Sequence, residues 1–221
     1  MADVQTIIDA AVARSAAAQP HQLSEDAPEL LRVVQRVLSR LYLLASRRRS
    51  TNFGQMANVT YSAGTPGGWP FPSDALSVLR VETLAGAEVA VTRLDDRSGM
   101  APMPSVYELG RKLVACGAAT DPASSDTLVV YYSAAAPALG SVSTPLPAEF
   151  PDMFFPLLEL PIAVYLARKE ARADDVAAFG AEEAEWAAYF DAWLTDASVA
   201  PGDRFAGFRP AQVSASSDDG E

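Results

Sequence analysis

Arg32, Arg36 and Arg40 stand at four-residue steps, and theirs is the spacing in this chain with the clearest chemical consequence. On a helix such residues are neighbours, and like charges at that distance repel mildly. Something negative is therefore expected opposite them. Carboxylates on an ordinary solvated face would serve, and so would an acidic neighbouring subunit or DNA phosphate; the sequence leaves the choice open. A second group with binding chemistry lies near the end of the chain, in P-G-D-R-F-A-G-F-R-P, where Arg204 and Arg209 flank Phe205 and Phe208. Two rings can fill pockets and two guanidiniums can pair with acids, so these four residues are candidates for partner contact.

Catalytic chemistry has less to stand on. A nucleophilic triad needs a base beside its serine or cysteine, and the single histidine, His21, sits in a Pro-His-Gln junction read as a loop. The one cysteine, Cys116, rules out an intramolecular disulfide and a multi-cysteine metal site, and its apolar strand-like context reads as buried filler. Paired carboxylates could run glycoside hydrolysis, but no spacing here singles out two of them. Asp95-Asp96-Arg97-Ser98-Gly99 lacks the alternating oxygen ligands and closing glutamate of a calcium loop. The glycine-rich G-T-P-G-G-W-P-F-P is followed by neither Lys-Ser nor Lys-Thr, so it does not read as a phosphate cradle. No enzyme, no metal and no cofactor are expected.

The elements that must position the candidate residues are mostly helices. Val4, Ile7, Ile8, Ala11 and Val12 give a short helical stripe ending near Gln19-Pro20. Asp26-Ala27-Pro28-Glu29 reads as a capping box that opens a long helix to Arg49, with Leu30, Leu31, Val34, Val37, Leu38, Leu41, Leu44 and Ala45 on its apolar side. A second helical pair spans Thr144 to Asp196. Pro151 is expected at the first position of its first helix, Pro156 and Pro161 are expected to kink or interrupt it, and Phe150, Phe154, Leu157, Leu158, Ile162, Tyr165 and Leu166 form its apolar face. Its partner carries Phe179, Trp186, Tyr189, Phe190, Trp193 and Leu194, an aromatic stripe read as core, with Glu182, Glu183, Glu185 and Asp191 mainly on the other side.

Between the helical segments the pattern changes. Ser50 to Asp74 has loop composition, in which Trp69 and Phe71 are expected to pin the chain to a core. Alternating runs then follow at Leu76 to Leu84, Glu88 to Leu94, Val106 to Leu109, Lys112 to Cys116 and Leu128 to Ser133, separated by turns such as Ala85-Gly86 and Gly110-Arg111. The expected fold is α+β: a helical bundle from residues 1–50 and 145–196, an inserted loop and antiparallel β-meander or small barrel over 51–144, and an extended C-terminal arm over 197–221. The arm has no periodic apolar face with which to order itself.

With 17 Lys and Arg against 28 Asp and Glu, the 221-residue chain carries a formal charge of -11. That balance disfavours wrapping nucleic acid over the whole surface, although a local basic patch remains compatible with it. The start M-A-D-V-Q-T lacks a basic segment ahead of an apolar run, and Met153 to Ala167 is too short and interrupted to span a bilayer, so a soluble chain made in a cytoplasm is expected.

Taken together, the N-terminal helix pair, the insertion containing V-Y-E-L-G-R-K-L, the strand D-T-L-V-V-Y-Y-S-A, and the late helix approached through L-P-A-E-F and ending Y-L-A-R-K-E resemble the head-to-tail adaptor (head completion) proteins of tailed bacteriophages. The resemblance covers most of Asp26 to Leu194 and lies in the order of elements and in loose motifs. It implies a virion protein of the neck, made in the host cytoplasm. Such a protein forms a homo-oligomeric ring, usually dodecameric, with portal and tail proteins as partners and DNA passing through without sequence-specific binding. It implies no catalytic residues, cofactor or membrane. Another assembly component such as a tail completion protein, or a non-viral ligand-binding module, is the alternative. On the adaptor reading, the arm lies against a neighbouring subunit or the portal, because the late helices are expected to cover each other.

Overall fold

The structure is a computed structural model that describes residues 2–15, 23–64, 67–92, 105–116 and 126–195. Among the described residues, four α-helices and seven strands give an α+β fold: α1 (Val4–Ser15), α2 (Leu23–Arg47), β1 (Gly54–Thr60), β2 (Trp69–Pro70), β3 (Ala75–Thr83), β4 (Ala90–Thr92), β5 (Ser105–Leu109), β6 (Lys112–Cys116), β7 (Thr127–Ala134), α3 (Pro156–Lys169) and α4 (Ala173–Thr195).

Each helix forms for a local reason and is then held by packing. The Asp3 carboxylate accepts from the Thr6 backbone N–H at 2.8 Å and from its hydroxyl at 2.7 Å, which caps α1 and holds the carboxyl below its ordinary range. Helix α2 begins at Leu23, earlier than the expected capping box, so Asp26 lies inside it and Pro28 falls in the second turn. There the proline removes one intrahelical hydrogen bond, and the apolar stripe that follows holds the helix together. Pro151 caps a single 3-10 turn, Asp152–Phe154, instead of opening the helix; Pro156 takes the first position of α3. The expected interruption thus falls at Phe155, and α3 continues unbroken through Pro161.

Helix α3 is buried on nearly every side, with Leu160, Ala163 and Ala167 hidden as well as the expected apolar face. It packs against α1, α2 and α4. Helix α4 departs further from expectation. Phe190 and Leu194 are buried, but Trp186 and Trp193 are half-buried and Tyr189 is 57% exposed. Its outward face is alanine, with Ala177, Ala181, Ala184, Ala188 and Ala192 exposed, while Glu182, Glu183 and Asp191 flank the buried side. One core unites the four helices with Phe53, Leu139, Leu146, Phe150 and Phe154. At its centre Phe154 meets Phe190 edge-on at 4.9 Å, and Trp193 lies 5.7 Å from Phe190. The two chain segments that build this core are strapped together where Val4 N–H donates to Thr144 C=O and Leu146 N–H to Ala2 C=O.

The β region has a core of its own, including Trp69, Val78, Val81, Leu113, Val130 and Tyr132. One sheet has the order β1-β7-β3 and the other β2-β6-β5-β4. Single bridges at Ser62 with Gly68 and at Glu82 with Glu88 bring the sheet margins together, and the sheets do not close into a barrel. The order is also more complex than a meander: β7 returns between β1 and β3, and β4 pairs with β5 in parallel. Two strands fall in the stretch read as loop. β1 pairs seven residues with β7, although within it only Val59 is buried, so its sequence shows no strand period. Trp69 and Phe71 do pack on this core, and the Trp69 indole N–H donates to the Asp126 C=O at 3.1 Å.

Candidate interaction surface

The sequence-derived residues on α2 lie where the helix turns away from the core. Arg32, Arg36 and Arg40 are exposed, and Arg47 continues their stripe, so four guanidiniums span about 22 Å of helix. Their charges are poorly answered. Arg40 Nη1 lies 4.0 Å from Glu183 Oε1 with its side chain 78% exposed, and among the described residues Arg32, Arg36 and Arg47 have no ion-pair partner. Arg47 was visible in the sequence as part of Arg47-Arg48-Arg49, but only the helix register separates it from its neighbours. Arg48 points to α4 instead and makes a bidentate pair with Asp191 at 2.8 and 2.7 Å, which raises its pKa further. Arg49 donates to the Val78 C=O at 3.3 Å.

The pairs Arg40 with Glu183 and Arg48 with Asp191 are each eight residues apart on both helices. Helices α2 and α4 therefore run parallel and in step on either side of α3. They leave a shallow groove between them, walled by Val37, Leu44 and Ala187, floored by Leu41, Leu157 and Phe190, and edged by Arg40 and Glu183. This groove joins the arginine stripe at Arg40. Sequence patterning could not find it, because the groove depends on the spacing of two helices that a third one separates.

Elsewhere polar groups are consumed in holding the fold. Tyr42 donates to Glu149 at 2.9 Å, and burial, reinforced by that carboxylate, pushes its hydroxyl pKa up. Tyr132 donates to Asp74 at 3.3 Å and Tyr131 to Glu82 at 3.1 Å; both hydroxyls are raised, first by burial. Burial also raises Glu108, with Arg49 opposing it. Among the described residues no three of His, Cys, Asp and Glu gather into a group that could hold a metal ion. No helix of the described residues is long and apolar enough to cross a membrane. His21 and the candidate contacts Arg204, Phe205, Phe208 and Arg209 lie outside the described residues. No family model matches the chain, and no curated protein matches it significantly.

Proposed function

We propose that this chain is a virion structural protein, the subunit of a head-to-tail adaptor that forms a ring beneath a portal, extends the DNA channel and presents the surface on which a tail assembles. The observation that carries this reading is the stripe Arg32, Arg36, Arg40 and Arg47, an exposed basic face in a chain of charge -11, with three of its four members lacking an ion-pair partner among the described residues. Placed against an acidic face of a neighbouring copy, these charges gain the partners that the described residues of their own chain do not supply. The acidic balance of the chain suits a channel through which DNA must slide without adhering. The order of elements, two helical segments enclosing a β insertion, supports the same assignment.

The reading is tested by symmetry averaging of particles of the purified protein, alone and mixed with a portal, together with the variant Arg36→Glu. Rings that weaken with that reversal and with rising salt, while the monomer keeps its helical signal, are the expected result. A monomer in both settings, or assembly indifferent to the reversal and to salt, overturns it.

A further inference from the structure

Among the large apolar side chains that the described residues leave bare, Leu84 is the most exposed, at 65%, and it stands in the turn between β3 and β4. That turn is tightly held. Gly86 N–H donates to the Thr83 C=O at 2.9 Å, Thr83 N–H to the Ala87 C=O at 2.8 Å, and Ala87 N–H to the Thr83 hydroxyl at 3.1 Å, with Gly86 in the left-handed region at φ 82°. Leu84, Ala85, Gly86 and Ala87 are all exposed and none carries a charge, so backbone bonds fix a leucine in contact with water. The same chain leaves an apolar groove open between α2 and α4. We propose that Leu84 of one copy seats in the α2–α4 groove of the next, a contact between copies that identifies the neighbouring surface in the adaptor reading.

Shape, polarity and charge all favour this occupant. A single leucine on a narrow turn suits a groove walled by Val37, Leu44 and Ala187 and floored by Leu41, Leu157 and Phe190. In its own chain Leu84 is bare and does not line that groove, so the two features can cover each other only between copies. Each side also carries a loosely held charge of the sign that the other needs. Arg40, at the edge of the groove, lies 4.0 Å from Glu183, and Glu88, four residues past Leu84 and 69% exposed, lies 3.8 Å from Arg80. With Leu84 seated, Glu88 comes to the margin where Arg40 stands and supplies one of the acids that the basic stripe lacks among the described residues of its own chain. Because leucine and groove belong to different surfaces, the contact can repeat from copy to copy, giving a ring where the rotation closes and an open filament where it does not. The inference rests on the adaptor reading in preferring that repeat to a reciprocal pair, in which each of two copies fills the other's groove.

The test places a photo-crosslinking benzophenone amino acid at Ala85 of the full-length chain, mixes it with copies labelled with heavy nitrogen, and maps the irradiated products by mass spectrometry. Cross-links between unlike copies, joining position 85 to peptides that contain residues 37–44 or 183–190, are expected. Leu84→Asp should weaken association by about tenfold or more, and Glu88→Lys by about threefold, with the helical and strand signals of the monomer unchanged. Two damaged copies supply the direction of the contact. Leu84→Asp loses the leucine and keeps the groove, whereas Ala187→Phe fills the groove and keeps the leucine; each alone should stay monomeric, and their mixture should form pairs that stop at two. Cross-links within one chain, cross-links to other surfaces, a yield at the groove peptides no higher than that of the same probe at Leu76, or association that none of the three variants weakens would each overturn the proposal. Rings that assemble as well from Leu84→Asp as from the unaltered chain sink this contact and leave the adaptor reading standing. An unaltered chain that stops at reciprocal pairs, cross-linked from position 85 to the groove, does the reverse.

Discussion

Phe190 and Leu113 are both completely buried, yet they are buried by different means. Phe190 is enclosed by side chains from distant parts of the chain: Phe53, Phe150, Phe154 and Trp193 all place their rings within 6.5 Å of it. Leu113 sits on a strand whose place is fixed by backbone pairing, opposite Trp69 on one side and Glu108 on the other. The helical region is thus specified by what its side chains are, and the β region more by where its backbone can pair. The two meet through polar contacts at the end of α2, where the Ser46 and Ser77 hydroxyls lie 2.9 Å apart and Arg49 reaches the Val78 carbonyl.

If that contrast is right, the largest loss comes from emptying the aromatic centre. Phe190→Ala should cost about 3 to 5 kcal/mol, since it removes a fully enclosed ring whose neighbours belong to three different segments. Trp186→Ala, although it deletes a larger side chain, should cost only about 1 to 2 kcal/mol, because the indole is half-buried at the margin of the core. Urea unfolding of both variants measures the order. A greater loss for Trp186→Ala would move the centre of the core to the outer turns of α4.

The β region should break through its backbone instead. A Cβ on Gly68 would stand 2.4 Å from the Leu113 carbonyl oxygen, so Gly68→Ala must push β2 away from β6. A cost of about 1 to 3 kcal/mol is expected from that overlap. Amide exchange should locate the loss, quickening in β2 and β6 first while α3 and α4 keep their protection. Equal loosening of both regions would mean that the two cores unfold as one.

The same contrast explains how far the sequence could be read. Leu30, Val34, Leu38 and Leu41 repeat with the helical period and are all buried, so α2 was legible almost to its ends. The runs that became β3, β5, β6 and β7 were legible too, from their apolar and β-branched residues. β1 was not, because it owes its existence to β7, a strand with seven of its eight residues buried, and not to a pattern of its own. The aromatic residues of α4 misled in the opposite direction: their spacing promised a single buried stripe, but α3 covers only the part centred on Phe190 and Leu194. Of the candidate contacts, the arginine stripe was readable as a helix face, whereas how few partners it has among the described residues depends on which acids the fold brings near, and the groove beside it on how two helices are spaced.

Alkaline pH offers a smaller perturbation that also tells the regions apart. The tyrosine reference value is 10.0, and in the folded state burial raises Tyr42 in the helical core and Tyr131 and Tyr132 on β7. A raised folded value means the fold favours the neutral hydroxyl. The stability tied to it is complete below pH 10 and is lost as pH climbs towards the folded value. Unfolding free energy should therefore decline above about pH 10, and Tyr42→Phe should flatten part of that decline at a neutral-pH cost of about 1 to 2 kcal/mol for the lost bond to Glu149. An unchanged alkaline slope in the variant would assign the decline to the two tyrosines of β7 and to Tyr165, whose hydroxyl is raised first by its bond to Glu29.

The smallest effect expected is a gain. Helices α2 and α3 end alike: Ser50 N–H donates to the Ala45 carbonyl and Arg172 N–H to that of Ala167, with Arg49 and Ala171 in the left-handed region at φ 52° and 55°. Glycine normally fills that position, and an L side chain there is strained by about 1 to 2 kcal/mol. Arg49 recovers something through its bond to the Val78 carbonyl, a link between the two regions that glycine would forfeit. Ala171 is exposed and its methyl group offers no such bond, so Ala171→Gly should stabilise the protein once the greater freedom of glycine in the unfolded chain is deducted. A net gain of about 0.5 to 1 kcal/mol, read as a higher urea midpoint with an unchanged slope, is expected. Arg49→Gly should gain less or lose outright. The difference between the two variants measures what the Arg49 bridge contributes to joining the helical core to the sheet, and equal gains from both would mean that the bridge contributes nothing.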